Sequence, residues 1–204
     1  MTITTRTSKG SALTYAEMDS NLSSLDSDRT SLIASTNSLD SDRTVLITAK
    51  NSYEIDQWRL NSTFSTNDAT VTDWERVDDA NFAKIGTGMS EASGIFTFPR
   101  TGLYLVTVHV NIRITGADSS AGIYLQVSPN DAAGYDNMAL IYEGHPTDDG
   151  NTNQSGANSV LINVTDASTF KFLLRTVSLG DAELMGNTTY NRTSILFERK
   201  GDAQ

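Results

Sequence analysis

The sequence predicts a mainly β protein in which an antiparallel sandwich or jelly roll of about nine or ten strands follows a long N-terminal α-helix. Two observations lead to this prediction. Large apolar residues recur every seven positions in the first part of the chain, whereas short β-branched and aromatic runs separated by turn residues fill the rest. The sequence changes from the first pattern to the second near residues 61–70. The predicted organisation is therefore an N-terminal segment (1–13), a helical stalk (14–60), a linker (61–70) and a β head (71–204).

An internal repeat identifies the helical stalk. Residues 24–33 and 38–47 are identical at nine of ten positions and are offset by fourteen residues, which is two heptads. Thr14, followed by Glu17 three residues later, forms the pattern of a capping box and predicts where the helix begins. The apolar residues that continue the heptad register without a gap are Met18, Leu25, Leu32, Leu39, Leu46, Tyr53 and Leu60. This stripe predicts a coiled-coil seam along the whole stalk.

A coiled coil needs two apolar core positions in each heptad, and the second of these is poorly filled here. If the leucine stripe occupies position d, position a holds Arg29, Thr36, Arg43 and Lys50. Ser, Thr, Asp and Asn are also mediocre helix formers, so we expect the segment to be only marginally stable by itself. The alternatives are a solitary helix lying on the head, a β-structured shaft, and a partly disordered linker. The two-heptad repeat favours a self-associating stalk, because a surface helix has no reason to repeat itself.

The second part of the chain reads as a series of short strands with turn signals between them. The clearest is residues 103–114, in which large apolar residues alternate with a second face of mixed character. Such a mixed face is expected where a strand contacts a sister subunit rather than open water. The predicted strands cover residues 71–77, 82–85, 95–98, 103–114, 123–127, 138–142, 160–164, 170–177 and 193–199.

Composition argues against several classes of function. The formal net charge is −10 and the basic residues are scattered, so the chain should repel nucleic acid. The absence of cysteine removes thiol catalysis, thiolate metal sites and disulfides. No stretch approaches the ~20 apolar residues of a membrane span, and residues 1–10 lack the apolar run of a secretory signal. We therefore expect no membrane insertion and no signal peptide.

No catalytic, cofactor or metal site is predicted. His109 and His145 are the only histidines, and neither has a nucleophile or carboxylate at a recognisable motif spacing, so we expect no enzyme. Asp148 and Asp149 lie in an acidic loop that could offer oxygen ligands to Ca²⁺, although such loops are usually only hydrophilic. The polar loops of the head are the natural surface for a ligand. Their candidate residues for contact with a sugar or protein are Tyr135, Tyr142, His145, Asp148 and Asp149.

The segment at residues 94–104, GIFTFPRTGLY, resembles the signature of the complement C-one-q and tumour necrosis factor-like jelly-roll superfamily. The matching residues are Gly94, Phe96, Pro99, Gly102 and Tyr104, and the similarity extends over roughly residues 74–200. The resemblance implies a head that assembles as a compact homotrimer, with one sheet of each subunit packed at the threefold axis behind a stalk. Because the chain has no Gly-X-Y repeat, the heptad segment would take the place of a collagen stalk.

Residues 6–19, RTSKGSALTYAEMD, resemble the start of structural and fibre proteins of tailed bacteriophages. This resemblance implies a virion-surface protein made in the host cytoplasm, whose residues 1–13 dock to other virion proteins. The expected function is a homotrimeric structural fibre or spike with its head displayed outward, a candidate for adhesion to a host surface glycan or protein. The alternatives are a capsid decoration or head-fibre protein without a receptor role, and a stand-alone lectin-like or cytokine-like binding module.

Overall fold

The computed structural model describes residues 5–50, 53–114, 120–131, 134–144 and 152–204. The chain divides into two compact units, Met1–Asn51 and Ser52–Gln204. The first unit is helical and the second contains all the described strands. We refer to the second unit as the head.

The first unit consists of a short helix, α1 (Arg6–Lys9), and a single long helix, α2 (Tyr15–Lys50). The predicted capping box is confirmed. The Thr14 amide donates to Glu17 Oε2 at 2.7 Å, and the Glu17 amide donates to Thr14 Oγ1 at 3.3 Å. Within α2, several Ser and Thr hydroxyls donate to the carbonyl oxygen four residues earlier, as Thr30 does to Asp26 at 2.8 Å. These bonds satisfy the hydroxyl groups within the helix, but bonding of this kind slightly destabilises a helix.

The predicted end of the helix at Leu60 is wrong. The helix α2 ends at Lys50, and the following strand β1 (Ile55–Leu60) belongs to the head. Tyr53 lies outside the helix, and Leu60 is fully buried in the head core. Trp58 and Leu60 alternate inward along β1, so their period is two and the seven-residue spacing to Leu60 is a coincidence. Within α2 the apolar stripe therefore runs from Met18 to Leu46.

The boundary of the head also needs correction. Residues 61–70 were predicted to be a linker between stalk and head, yet they belong to the head unit. Phe64 pairs with Leu184 through two backbone hydrogen bonds, and Thr70 bridges to Arg175. The head therefore begins near residue 52 rather than at residue 71, because its sheet needs β1 and the segment after it.

The head is an antiparallel sandwich. Its strands after β1 are β2 (Trp74–Arg76), β3 (Ser90–Ala92), β4 (Ile95–Thr97), β5 (Gly102–Ile114), β6 (Ser120–Ser128), β7 (Asp136–Gly144), β8 (Thr152–Val164), β9 (Lys171–Val177), β10 (Glu183–Leu184) and β11 (Ser194–Gly201). Sheet A has the order β8-β5-β11-β1-β2, with β10 also paired to the end of β5. Sheet B has the order β3-β4-β9-β6-β7. The chain thus crosses from one sheet to the other several times, as in a jelly roll, while β1 and β2, β3 and β4, and β6 and β7 are hairpin-like neighbours within one sheet.

Most of the predicted strands are confirmed, with bounds that differ by a few residues, except that β8 begins at Thr152, eight residues before the predicted start at residue 160. The structure has no strand at residues 82–85, where only Ile85 forms an isolated bridge to Ile55. The strands β1, β3 and β10 were not predicted. Both β3 and β10 are three residues or shorter, so they carry too little alternation to be recognised in the sequence.

The core of the head fills the space between the two sheets. Phe96 is fully buried at its centre, with ring centroids 5.4 Å from Trp58, 5.2 Å from Phe197 and 6.4 Å from Phe172. The predicted alternation of residues 103–114 is confirmed. Every second residue from Tyr104 to Ile114 points into this core and is at most 3 % exposed. The other face of β5 is therefore left on the outside of sheet A.

Candidate interaction surfaces of the helix and the head

The apolar stripe of α2 is exposed in the single chain. Its members Met18, Leu25, Leu32, Leu39 and Leu46 have exposed fractions between 38 % and 70 %. A 36-residue helix whose stripe residues face water in this way gains little stability from their burial. A repeated leucine stripe in contact with water is typical of a helix that binds other helices.

The motif residues at 94–104 either fill the core of the head or form the close turns of its backbone. Phe96 and Tyr104 fill the core, while Pro99 lies in the connection between β4 and β5. Gly94 has φ +85°, and a Cβ there would lie 2.3 Å from the carbonyl oxygen of Val71. Gly102 is equally confined, because a Cβ would lie 2.4 Å from Arg199 Nε. These residues therefore shape the fold and offer no group to a ligand.

Buried carboxylates hold the start of β1 in the head. Asp56, 1 % exposed, accepts hydrogen bonds from the Trp58 indole at 3.0 Å, the Met89 amide at 2.8 Å and the Arg76 guanidinium at 2.9 Å. Glu54 pairs with Arg100 at 2.8 Å and accepts from the Gly88 amide at 2.9 Å. All the charges here are paired, so this cluster is structural rather than a candidate catalytic site.

In addition to the ion pairs of Asp56 and Glu54, a further network of ion pairs surrounds Arg59 at the outer side of β1. The Arg59 side chain is 2 % exposed and contacts Glu75 at 2.5 Å and Asp78 at 2.6 Å. Burial lowers the pKa of Arg59, but the hydrogen bonds and charges of Glu75 and Asp78 outweigh it, so the pKa is raised overall. Arg59 therefore stays charged and ties residues 75–79 to the sheet.

The outer face of sheet A carries an apolar patch. We call it the sheet A patch and define it by Leu103, Leu105, Leu161, Leu196 and Ile55, which are half-buried or exposed. Leu105 lies directly opposite Leu161, which is 56 % exposed, and Leu196 lies opposite Thr107, the next outward-facing residue of β5. Glu198 lies between Leu105 and Ile55 across the sheet, so Ile55 is at the edge of the patch. An antiparallel sheet that faces water normally has a polar outer face. The mixed face of residues 103–114 was the sequence signal for this surface.

The outer face of sheet B presents an exposed tyrosine. Tyr142 was predicted to lie in a ligand loop, but it belongs to strand β7, and its ring lies over Gly122 of β6. Its hydroxyl is 3.0 Å from Ser120 Oγ. Hydrogen bonds with Ser120 and Ser178 lower the pKa of Tyr142. Together with Met138 and Leu140, Tyr142 forms an apolar strip along β7, and all three side chains are more than 40 % exposed.

The remaining candidate ligand residues are not brought together with Tyr142. Tyr135 is half-buried, and burial together with the charge of Asp131 raises its pKa. His145, Asp148 and Asp149 lie outside the described residues. Within the described part of the chain, no group of three acidic or histidine side chains is placed to hold a metal ion. No described helix is both long and apolar enough to span a bilayer.

No protein-family model and no curated protein matches the sequence. Among solved structures, the chain is similar to Eiger TNF from S. frugiperda, with 14 % identity, a TM-score of 0.60 and coverage of 74 % of this chain and 95 % of that chain. It is also similar to murine APRIL at pH 8.5, with 13 % identity, a TM-score of 0.54 and coverage of 72 % and 99 %. The described head therefore has the tumour necrosis factor-like jelly-roll fold that residues 94–104 predicted.

Proposed function

We propose that this chain is a homotrimeric fibre-type structural protein of a virus particle, in which α2 and the head both take part in self-association. The observation that carries the proposal is the exposed stripe of α2, where Leu25, Leu32, Leu39 and Leu46 are 52–70 % exposed at a regular seven-residue spacing. Burial of one leucine contributes roughly 1.5–3 kcal/mol, so covering the stripe with sister helices would offset the poor helix propensity of the segment.

The charged residues at the second core position of the heptads limit how much stability the helix alone contributes to the assembly. With leucine at position d, Arg29 and Arg43 occupy position a, and Arg29 pairs with Asp26 of the same helix at 2.8 Å. A charged layer of this kind lowers the stability of a coiled coil while helping to specify its register. We therefore assign a larger share of the assembly energy to the head.

The sheet A patch is the surface that we assign to head association. Its apolar residues lie on the outer face of a sheet, where contact with a second subunit would remove them from water. The resemblance of residues 94–104 to tumour necrosis factor-like heads supports a threefold arrangement, with this sheet at the axis.

The virion setting rests on the resemblance of residues 6–19 to the start of phage structural proteins. In this proposal residues 1–13 dock to other virion proteins, and the head is free to contact the host surface. The exposed Tyr142 and Leu140 strip is the candidate surface for a glycan, because an exposed aromatic ring can stack on the apolar face of a sugar. Three copies would turn a weak contact into useful avidity. A capsid decoration without receptor role shares the same assembly.

Size-exclusion chromatography with light scattering tests the assembly. We expect a particle of three times 22.1 kDa, and a monomer at micromolar concentration would overturn the proposal. The double substitution Leu32→Ser and Leu39→Ser should weaken the trimer, whereas Ser27→Ala and Ser41→Ala on the opposite side of the helix should not. Leu161→Ser should weaken it further, with Tyr190→Ser as the matched control, because Tyr190 is equally exposed outside the patch.

Mass spectrometry of purified virus particles from the source culture tests the setting. We expect peptides of this chain to copurify with capsid or tail proteins in constant ratio. A chain that is trimeric but found only free of particles would instead favour the stand-alone binding module.

A further inference from the structure

The arginines of the head differ in their partners. Arg59, Arg76, Arg100, Arg113, Arg175 and Arg199 each form an ion pair with an Asp or Glu side chain. Arg192 forms none with any residue that the structure describes. In a chain with a formal net charge of −10, an arginine without a carboxylate partner is unusual and calls for an explanation.

Neutral side chains hold the Arg192 guanidinium in place. Its Nε and Nη2 donate to Asn111 Oδ1 at 3.1 Å and 2.7 Å, and Nη2 also lies 3.3 Å from Asn153 Oδ1. Asn111 is itself fixed, because its Nδ2 donates to Ser155 Oγ at 2.9 Å. The fork of Arg192 is therefore oriented, while no described carboxylate compensates its charge. An oriented guanidinium loses less entropy on binding an anion than a free one.

Arg192 lines an open cavity of about 520 Å³ on the outer face of sheet A. The other polar side chains in its wall are His109, Gln57, Ser155, Asn191 and Ser194, and no carboxylate is among the described residues that line it. His109 is exposed and lies directly opposite Ala157 of β8 and Ser194 of β11. The cavity thus combines one fixed positive charge with several neutral hydrogen-bonding groups.

We propose that this cavity is a binding site for a carboxylate group. Nε and Nη2 of Arg192 are taken by Asn111 and Asn153, and no described group accepts from Nη1, which leaves Nη1 for a charge-assisted hydrogen bond to a carboxylate. His109, Gln57 and Ser194 offer further donors around it. The carboxylate has two potential sources. One is a free small acid or the acidic end of a glycan, and the other is an acidic side chain of a second copy. The second source rests on the proposed function, because the cavity shares the outer face of sheet A with the sheet A patch.

Malonate is the probe for the free acid. Thermal unfolding of the full chain is followed in malonate and in sodium chloride of equal ionic strength, for the wild type and for Arg192→Gln. The control is Arg175→Gln, which removes the same charge from sheet B, where Arg175 pairs with Asp68. The wild type and the control should gain Tm as malonate rises, and Arg192→Gln should not. Ala157→Glu, which leaves Arg192 intact and places a carboxylate beside the cavity, should also abolish the gain.

The dissociation constant of the oligomer tests whether a second copy of the chain supplies the carboxylate. If a sister subunit supplies the carboxylate, Arg192→Gln should raise this constant about tenfold or more, and Arg175→Gln should leave it unchanged. The site is overturned if malonate has no specific effect on the wild type and Arg192→Gln does not weaken the oligomer. A wild type that is monomeric would overturn the proposed trimer only, and the malonate titration alone would then decide whether the site exists.

Discussion

The hydroxyl of Tyr104 donates a hydrogen bond to the carbonyl oxygen of Arg100 at a distance of 3.0 Å, four residues earlier in the chain. The side chain is fully buried, with its ring centroid 4.8 Å from that of Phe98. Burial, and next the negative charge of Glu54, raise the pKa of Tyr104 to about 12. The core of the head therefore contains a phenol that strongly resists ionisation.

We expect the head to lose stability in alkaline solution through Tyr104. The unfolded state releases the phenol proton near pH 10 and the folded state near pH 12, so the folded state binds more protons between these values. The stabilising contribution is complete below pH 10 and is lost as the pH rises to 12, by up to about 2–3 kcal/mol. Urea unfolding of the wild type and Tyr104→Phe at pH 9 and pH 11 measures it. Equal pH dependence in both proteins would contradict the prediction.

A chain that begins at residue 53 should fold as a head, and one that begins at residue 71 should not. The strand β1 lies between β11 and β2 in sheet A and brings Trp58 and Leu60 into the core. Loss of these two side chains removes roughly 5–10 kcal/mol, which is comparable to the whole stability of a small domain. Near-ultraviolet circular dichroism and urea unfolding of the two chains give the answer. A cooperative transition in the shorter chain would show that β1 is dispensable.

The strands with a long alternation of apolar and polar residues could be predicted from the sequence. The prediction failed at β1, where the seven-residue spacing of the helix coincides with the two-residue period of a strand. Residues 103–114 alternate without interruption, because one face must be buried against sheet B, so the strand β5 was predictable. Leu60 continues the heptad spacing of α2 by coincidence, and this hid β1 within the predicted helix. Short strands such as β10 exist only because a long neighbour pairs with them, and that partner is distant in the sequence.

The candidate sites were less predictable than the fold. The sheet A patch left a signal in the mixed second face of residues 103–114. Arg192 left none, because its partner Asn111 is 81 positions away and Asn153 is 39 positions away. No spacing rule connects residues that only the pairing of β5 with β8 and β11 brings together.

Substitution of Gly94 should destabilise the head through its backbone. The residue has φ +85°, and a Cβ would lie 2.3 Å from the Val71 carbonyl oxygen and 2.8 Å from Thr70 Cγ2. Because the main obstacle is backbone, we expect Gly94→Ala to cost about 2–4 kcal/mol. Gly201→Ala is the matched control, since a Cβ there meets nothing within 4 Å. Urea midpoints of the two variants at one protein concentration are compared, and similar midpoints would refute the steric argument.

Neutralising Asp56 should cost far more than neutralising Asp68, although each carboxylate pairs with one arginine. The Asp56 side chain is 1 % exposed, and its carboxylate oxygens accept hydrogen bonds from Trp58, Met89 and Arg76. In Asp56→Asn the amide oxygen can take the place of the Oδ2 that accepts from Trp58 and Met89, but the new NH2 group then faces Arg76 Nε and Arg76 loses its counter-charge, so we expect a loss of about 3–5 kcal/mol.

Asp68 pairs with Arg175 at 3.0 Å, but its side chain is 77 % exposed, so water replaces the lost partner and we expect Asp68→Asn to cost less than about 1 kcal/mol. Equilibrium urea unfolding at a fixed protein concentration compares the two variants, because self-association would otherwise shift the midpoint. Equal losses would mean that burial of the Asp56 pair adds nothing to the stability of the head. A large loss confined to Asp56→Asn would instead identify this carboxylate as the contact that fastens the start of β1 to the loop preceding β3.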